Sequence, residues 1–320
     1  MQLAKKILTG DLIRFGQYLR EWMQGDSALF NKITDYILLH SGKQVRPVFV
    51  LLSAHLAGQI TEQSYRAAVL VELLHNASLV HDDIVDDAAE RRGQASVNAL
   101  WKSRTAVLVG DVMFSNGMLQ SLSIGDHKIL KIFSDAIEET IIGELEQLTR
   151  SKKLNLNEDV YYTIIRQKTA ALLKAACRAG AASATNDNSI VEKIALFGEK
   201  VGMAFQIRDD LFDYGTEDVG KPVGNDIQEK KVTLPLIYTI AHCSPAQRKE
   251  LLYIIRHQNT NKERIAYLIS VVRECGGLDY ATERMFAFRD EALAILDSFG
   301  NTAVKDALEE IVRYTTDRKY

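Results

Sequence analysis

The sequence predicts an all-α protein, and three observations carry that prediction. Apolar residues recur with helical period along almost the whole chain, and no segment alternates as a half-buried strand would. Hairpin dipeptides between apolar runs are missing; Asn116-Gly117 lies inside a helical stretch. There are 4 prolines, and they sit where helices begin. The pattern gives about a dozen helices, essentially no sheet and one domain over residues 1–320.

Each element has its own signal. Gly42-Lys43-Gln44-Val45-Arg46 reads as a glycine-led loop, with Pro47 opening the helix after it. Residues 62–87 are apolar almost all round, which marks a central, enclosed helix. Asn157 before Glu158-Asp159 is a helix start, and Ser189 with Glu192 has capping-box spacing. Residues 192–213 form a second apolar helix, and Ser244-Pro245 pairs an N-cap with proline at the first helical position.

Composition narrows the function. Hydrophobic content of 47% and charged content of 25% suit a soluble globular chain. With 39 basic and 42 acidic residues the net charge is -3, which argues against nucleic acid as the partner. Cys177, Cys243 and Cys275 have no metal-ligand spacing and suit a reducing cytoplasm. Met1-Gln2-Leu3-Ala4-Lys5-Lys6 turns polar too soon for a signal peptide, and no stretch has transmembrane length.

Both enclosed helices end in carboxylates: Asp82-Asp83-Ile84-Val85-Asp86 and Asp209-Asp210-Leu211-Phe212-Asp213. Positions four apart share a helix face, so Asp82 meets Asp86 and Asp209 meets Asp213. Like charges one turn apart repel, and the negative end of the helix dipole adds to the repulsion. A cation is needed there. Oxygen-only donors suit magnesium, whereas zinc would want His or Cys and calcium an Asp-rich loop. One such cluster is as well explained by a solvated helix end; two, each closing an apolar helix, point to metal.

Cationic and amide side chains accompany the acids. Lys43 and Arg46 lie in the glycine-led loop, and Arg91-Arg92-Gly93 follows the first cluster. Lys168-Thr169 interrupts an apolar helix, and Lys221 and Lys231 bracket the segment after the second cluster. Singly these are surface charges, His75 a core histidine and Gln206 a buried amide. Together they supply what a diphosphate needs.

In this order the motifs resemble the trans-type polyprenyl (isoprenyl) diphosphate synthases. The likeness runs from Gly42 to about Pro235 and takes in Gly220-Lys221-Pro222-Val223-Gly224-Asn225-Asp226 and Lys231-Val232-Thr233-Leu234-Pro235. It implies an all-α bundle around a central cavity, usually a homodimer. It makes Asp82, Asp83, Asp86, Asp209, Asp210 and Asp213 the magnesium-binding face, with Mn2+ as a substitute. Arg91, Lys168, Thr169, Gln206, Lys221 and Lys231 would hold an allylic diphosphate. Lys43, Arg46, His75 and Arg92, joined by Arg318, would hold isopentenyl diphosphate. The chain departs from the family in Ser41-Gly42-Lys43-Gln44, in Lys230 where a glycine usually stands, and in Asn116-Gly117-Met118 in place of an Ala-Phe pair.

The implied reaction is loss of diphosphate from the allylic substrate, attack of the isopentenyl double bond on the cation, and loss of a proton. It requires no protein nucleophile, and no Ser/His/Asp set is evident. Product length depends on what blocks the cavity below Asp82. Ala77 lies about 7.5 Å and Val71 about 16 Å back along the helix. Ala77 and Ser78 are small, so the expected floor is deeper, at Leu74, Val71, Phe114 or Met118, and the product about six to ten isoprene units, centred on octaprenyl. Such a product suits peripheral contact with a membrane on release. The rival readings are a short-chain (farnesyl or geranylgeranyl) synthase, a terpene cyclase or head-to-head synthase, and a non-catalytic subunit that modulates a partner.

Overall fold

The computed structural model describes residues 1–154, 156–215 and 224–317, so Lys221 and Arg318 lie outside the described residues. In chain order the helices are α1 (Gln2–Ile7), α2 (Thr9–Trp22), α3 (Ala28–Leu39), α4 (Val45–Ala57) and α5 (Glu62–Val85). A hairpin of β1 (Glu90–Arg91) and β2 (Gln94–Ala95) precedes α6 (Val97–Ser123), α7 (His127–Lys153) and α8 (Glu158–Ile165). A π-helical turn (Arg166–Ala170) joins α8 to α9 (Ala171–Ala184), followed by α10 (Asn188–Phe212), α11 (Asn225–Gln228) and α12 (Leu234–His242). The chain continues through α13 (Pro245–His257), α14 (Lys262–Glu274), α15 (Gly277–Leu296) and α16 (Ala303–Thr316).

The all-α expectation holds, with more helices than the apolar periodicity resolved. Caps explain several starts. Asn157 accepts from Val160 N at 3.2 Å, and Ser244 with Gln247 forms a capping box at Pro245. At α10 the cap differs from the sequence expectation. Asp187 Oδ1, not Ser189, accepts the first free amides, from Ser189 N at 2.8 Å and Ile190 N at 3.4 Å. The hairpin was also not expected. Its register pairs Glu90 with Ala95 and Arg91 with Gln94, and Arg92 (φ 56°) and Gly93 (φ 73°) make a two-residue turn of left-handed residues.

Contacts divide the chain into two compact units: Met1–Asp135 with Ala175–Ala195 and Asn301–Leu308, and Ala136–Lys174 with Leu196–Gly300 and Glu309–Tyr320. Four of the five boundaries fall inside helices, in α7, α9, α10 and α16, and the fifth lies between α15 and α16. In the first unit α5 is enclosed by α2, α4 and α6. Leu70, Val71, Leu73, Leu74, Ala77 and Val80 are buried along it, each large aliphatic adding about 1.5–3 kcal/mol of burial. That apolar shell offsets the cost of burying Glu72, Asn76 and Asp83 on the same helix. Two glycines bring α6 close. A Cβ at Gly110 would lie 2.2 Å from His81 Nε2, and one at Gly117 2.9 Å from Leu70 Cδ1.

In the second unit one apolar cluster gathers Tyr214, Ile227, Leu236, Leu251, Leu268 and Val272. Another gathers Tyr161, Ile165, Met203, Ile207 and Leu211, and fixes α8 and α10 where the second acidic cluster begins. No helix among the described residues is long and apolar enough to cross a membrane. Cys177, Cys243 and Cys275 are free thiols.

Candidate active site

In the first unit the acidic helix end, the hairpin and the glycine-led loop assemble one group of charges. Asp82 is half-buried, Asp86 exposed and Asp83 buried. Asp83 Oδ1 accepts from Arg91 Nε at 2.6 Å. Burial pushes the Asp83 carboxyl up, while the Arg91 hydrogen bond and charge pull against it. The chain turns back at the end of α5 through left-handed Asp87 (φ 48°), with Ala88 N donating to Asp83 O at 2.9 Å, and this sets Arg91 on β1 beside Asp83. Arg92 itself lies over Gly42, where a Cβ would meet its Cζ at 2.7 Å, and donates to His40 O at 3.3 Å. Glycine at 42 leaves the Arg92 guanidinium room to lie against the loop backbone.

Arg46, Arg91 and Arg92 act together on His75. Burial and these three charges hold its imidazole well below the ordinary value, so His75 is a neutral ring at pH 7. Burial also lowers the Arg46 guanidinium; Glu72 counters this and Arg92 adds to it. Glu72, 2% exposed, is raised by burial and drawn back by Arg46, Arg92 and Asn76. Lys43 is exposed on the loop. Arg46, Arg92 and His75, assigned from sequence to isopentenyl diphosphate, thus share a cluster with Arg91, assigned to the allylic one and here paired to Asp83, and with Glu72, a counter-charge that the sequence reading did not assign. An acid three residues before His75 in an apolar helix was the available signal.

In the second unit Asp209 is exposed, Asp210 buried and Asp213 half-buried. Both Asp210 oxygens are engaged: Tyr161 OH donates at 2.6 Å and Gln206 Nε2 at 2.8 Å. Thr169 Oγ1 donates to Gln206 Oε1 at 2.6 Å. Lys168 Nζ lies 2.8 Å from Glu144 Oε1. Lys168 and Thr169 stand in the π-helical turn, against which Gly143 packs, its Cβ position 3.0 Å from Lys168 N. π-turns of this kind recur at functional sites.

Asp226 completes the acids. Its amide donates to Asp213 Oδ2 at 3.2 Å, and its carboxylate lies 3.5 Å from Lys231 Nζ. Burial, then the Asp226 charge, pushes Asp213 up to about 6, and the same two causes push Asp210 up to about 8. Asp226 is raised by burial too, with Asp209 and Glu229 adding to the rise against Lys231. Burial alone would lower the Lys231 ammonium; Asp226 and Glu229 outweigh it and raise it. Glu229 is raised by burial, but Lys231 and Lys168 hold it below the ordinary value. Lys231 thus faces the acids, whereas Lys230 (φ 57°) donates to Arg256 O at 3.3 Å.

Among the described residues no three carboxylate, His or Cys side chains converge as a ready metal cage. The donors are hard oxygens that repel one another, and magnesium needs only one or two carboxylates when phosphate oxygens complete its shell. The residues fit that ion in its phosphate-bound form.

The polyprenyl synthetase sequence model matches residues 27–272. The chain belongs to the polyprenyl synthetase family. Among this family's members, heptaprenyl diphosphate synthase component 2 of Geobacillus stearothermophilus is 32% identical, over 98% of this chain and 97% of its own. Octaprenyl diphosphate synthase of Escherichia coli is 30% identical over 99% of both. The decaprenyl diphosphate synthase of Rhodobacter capsulatus superposes with a TM-score of 0.93 at 29% identity, covering 98% of both chains. A polyprenyl synthase from Caulobacter crescentus, solved with calcium and isoprenyl diphosphate, gives 0.92 at 32% identity over 100% of this chain and 98% of that one. The resemblance read from the motifs is therefore correct, and the chain is a prenyl-transferring enzyme with the family's all-α fold.

Proposed function

We propose that this polyprenyl synthetase condenses isopentenyl diphosphate with geranyl or farnesyl diphosphate and yields a medium- or long-chain all-trans polyprenyl diphosphate, octaprenyl as the central expectation. The observation that carries the reading is the pairing of a cationic cluster with each acidic helix end: Arg46, Arg91 and Arg92 around His75, and Lys168 and Lys231 beside Glu229. Arg46 and Arg92, with Lys43 and neutral His75, hold one diphosphate; Lys168, Thr169, Gln206 and Lys231 hold the allylic one. Lys221 is assigned with them on its sequence position alone.

Asp82, Asp86, Asp209 and Asp213 are the acids open to solvent or half-buried, and they would hold magnesium or manganese with the substrate phosphates. Asp83 and Asp210 support them from behind, paired inward to Arg91 and to Tyr161 with Gln206. A bound divalent ion supplies charge neutralisation for the departing diphosphate. Asp226 and Glu229 raise the Lys231 ammonium, so that side chain remains a cationic donor to the group, with Lys168 beside it.

A single domain is in keeping with unit boundaries that fall mostly inside helices. A cytoplasmic enzyme suits its free thiols. A homodimer is supported by α6, where Leu108, Val112, Leu119 and Leu122 form an exposed apolar stripe. A second reading, that the chain works only with a different partner subunit, is favoured by the "component 2" in the names of two Bacillaceae relatives.

One experiment separates these. The purified chain is incubated alone with magnesium, isopentenyl diphosphate and farnesyl diphosphate, and the extracted products are sized. Long linear prenyl diphosphates support the proposal; cyclic or symmetrical hydrocarbons, or farnesyl-to-geranylgeranyl products only, overturn its substrate or length assignment. No turnover alone, at a dimer's mass, favours the partnered reading.

A further inference from the structure

We propose that Tyr161 is a positioning residue for Gln206, acting through Asp210; the inference rests on the prenyl-transfer reading above. Three hydrogen bonds form one chain: Thr169 Oγ1 to Gln206 Oε1 at 2.6 Å, Gln206 Nε2 to Asp210 Oδ1 at 2.8 Å, and Tyr161 OH to Asp210 Oδ2 at 2.6 Å. A primary amide has a donor end and an acceptor end, and either could face Thr169 after a half-turn. Both Asp210 oxygens accept in this arrangement, Oδ1 from the Gln206 amide and Oδ2 from Tyr161, so the nitrogen end of Gln206 faces Asp210 and its oxygen faces Thr169. The single Thr169 proton is committed to that oxygen, which leaves the hydroxyl an acceptor towards anything else.

Asp210 can impose this order only if its own plane is fixed, and Tyr161 fixes it. The tyrosine is 5% exposed, and its ring meets Tyr162 edge-on at 5.5 Å. Tyr162 in turn meets Phe288 at 5.7 Å and accepts from Arg284 Nε at 3.1 Å.

The π-helical turn explains why one helix can supply both ends of the chain. At about 100° per residue, positions 161 and 169 would differ by about 80° on an unbroken α-helix. One residue absorbed by the turn reduces that to about 20° in the opposite sense, on the same face. Gln206 and Asp210, four apart on α10, share a face as well. The two pairs therefore meet end to end. A tyrosine buried for packing alone would have no need of this register.

The test is a double-mutant cycle of Tyr161→Phe and Gln206→Ala, with isopentenyl and farnesyl diphosphates and magnesium. The expected result for Tyr161→Phe is a fall in kcat of about tenfold, with KM for isopentenyl diphosphate and half-activating magnesium within about twofold. In the Gln206→Ala background the same change should have no further effect on kcat. Unchanged kcat in Tyr161→Phe, or an equal fall in both backgrounds, overturns the inference. Absence of turnover by the wild type overturns the parent reading and this one together, and is told apart by that. Should Tyr161→Phe not fold, Tyr161→His, which can still donate to Asp210, is set against Tyr161→Met, which cannot, and equal kcat in the two overturns the inference.

Discussion

Asp83 and Arg91 form an ion pair with Nε 2.6 Å from Oδ1, the acid side chain 3% exposed and the arginine 35%. The left-handed Asp87 that ends α5 turns the chain back, and β1 then sets Arg91 beside the helix end. Arg91→Ala leaves the buried carboxylate unpaired, at a cost of about 1–3 kcal/mol. Asp83→Asn in the Arg91→Ala background should restore much of that loss, because a neutral amide tolerates the site better. Urea midpoints of the four proteins measure it; additive losses would show that the pair is not the cause.

Protons and magnesium should compete in the second unit. Asp213 sits at about 6 when folded against an ordinary 3.8, and Asp210 at about 8. A raised carboxyl contributes stability that is fully present below about pH 4 and lost as pH rises through its folded value. The metal-free protein should therefore lose stability from pH 4 towards 8, on the order of 1–3 kcal/mol per group. Asp213→Asn should flatten the part of that loss that lies between about pH 4 and 6. Magnesium added with inorganic diphosphate should raise Tm at pH 8 far more than at pH 5, since the ion needs the deprotonated acids. A Tm indifferent to that pair at pH 8 would remove the metal from this site.

Gly202 lets α10 lie against the π-helical turn; a Cβ there would be 2.6 Å from Ala170 Cα. That neighbour is backbone and cannot swing aside. Gly202→Ala should cost about 1–3 kcal/mol by overpacking. It should also lengthen the 2.6 Å contact between Thr169 and Gln206 and lower kcat beyond what the stability loss explains. Denaturation and steady-state kinetics on the same preparation separate the two effects.

Much of this site was legible in the sequence, and the exceptions share a cause. The two acid-ended helices followed from apolar periodicity and the i, i+4 rule, and the cations followed from their order around them. Which aspartates turn inward did not follow. Asp83 is paired by Arg91, which returns to α5 after left-handed Asp87, and Asp210 by Tyr161 across a π-turn, and neither turn has a sequence signal of the usual kind. Lys231 rather than Lys230 faces the acids because Lys230 takes a left-handed backbone and points its ammonium at Arg256 O. Asp226 stood in a recognised string, yet its role depends on a backbone bond to Asp213 that no spacing encodes.

Product length should answer to Ser78 rather than Ala77. Ala77 has no exposed surface, so a tyrosine there must displace the core around α5, at a cost of about 1–3 kcal/mol, before it can block anything. Ser78 is half-buried, with its hydroxyl donating to His75 O at 2.9 Å, and has room beside it. Among the deeper candidates, Val71 and Leu74 are buried in the same core, Phe114 stacks on His81 at 5.8 Å, and Met118 is 43% exposed. Ser78→Phe should therefore shorten the products by several isoprene units while leaving Tm within a few degrees, and Ala77→Tyr should lower Tm markedly. Chromatographic sizing of products against the wild type tests the first half, and thermal unfolding the second. Unshortened products from a stable Ser78→Phe enzyme would place the chain-length determinant elsewhere than along this face of α5.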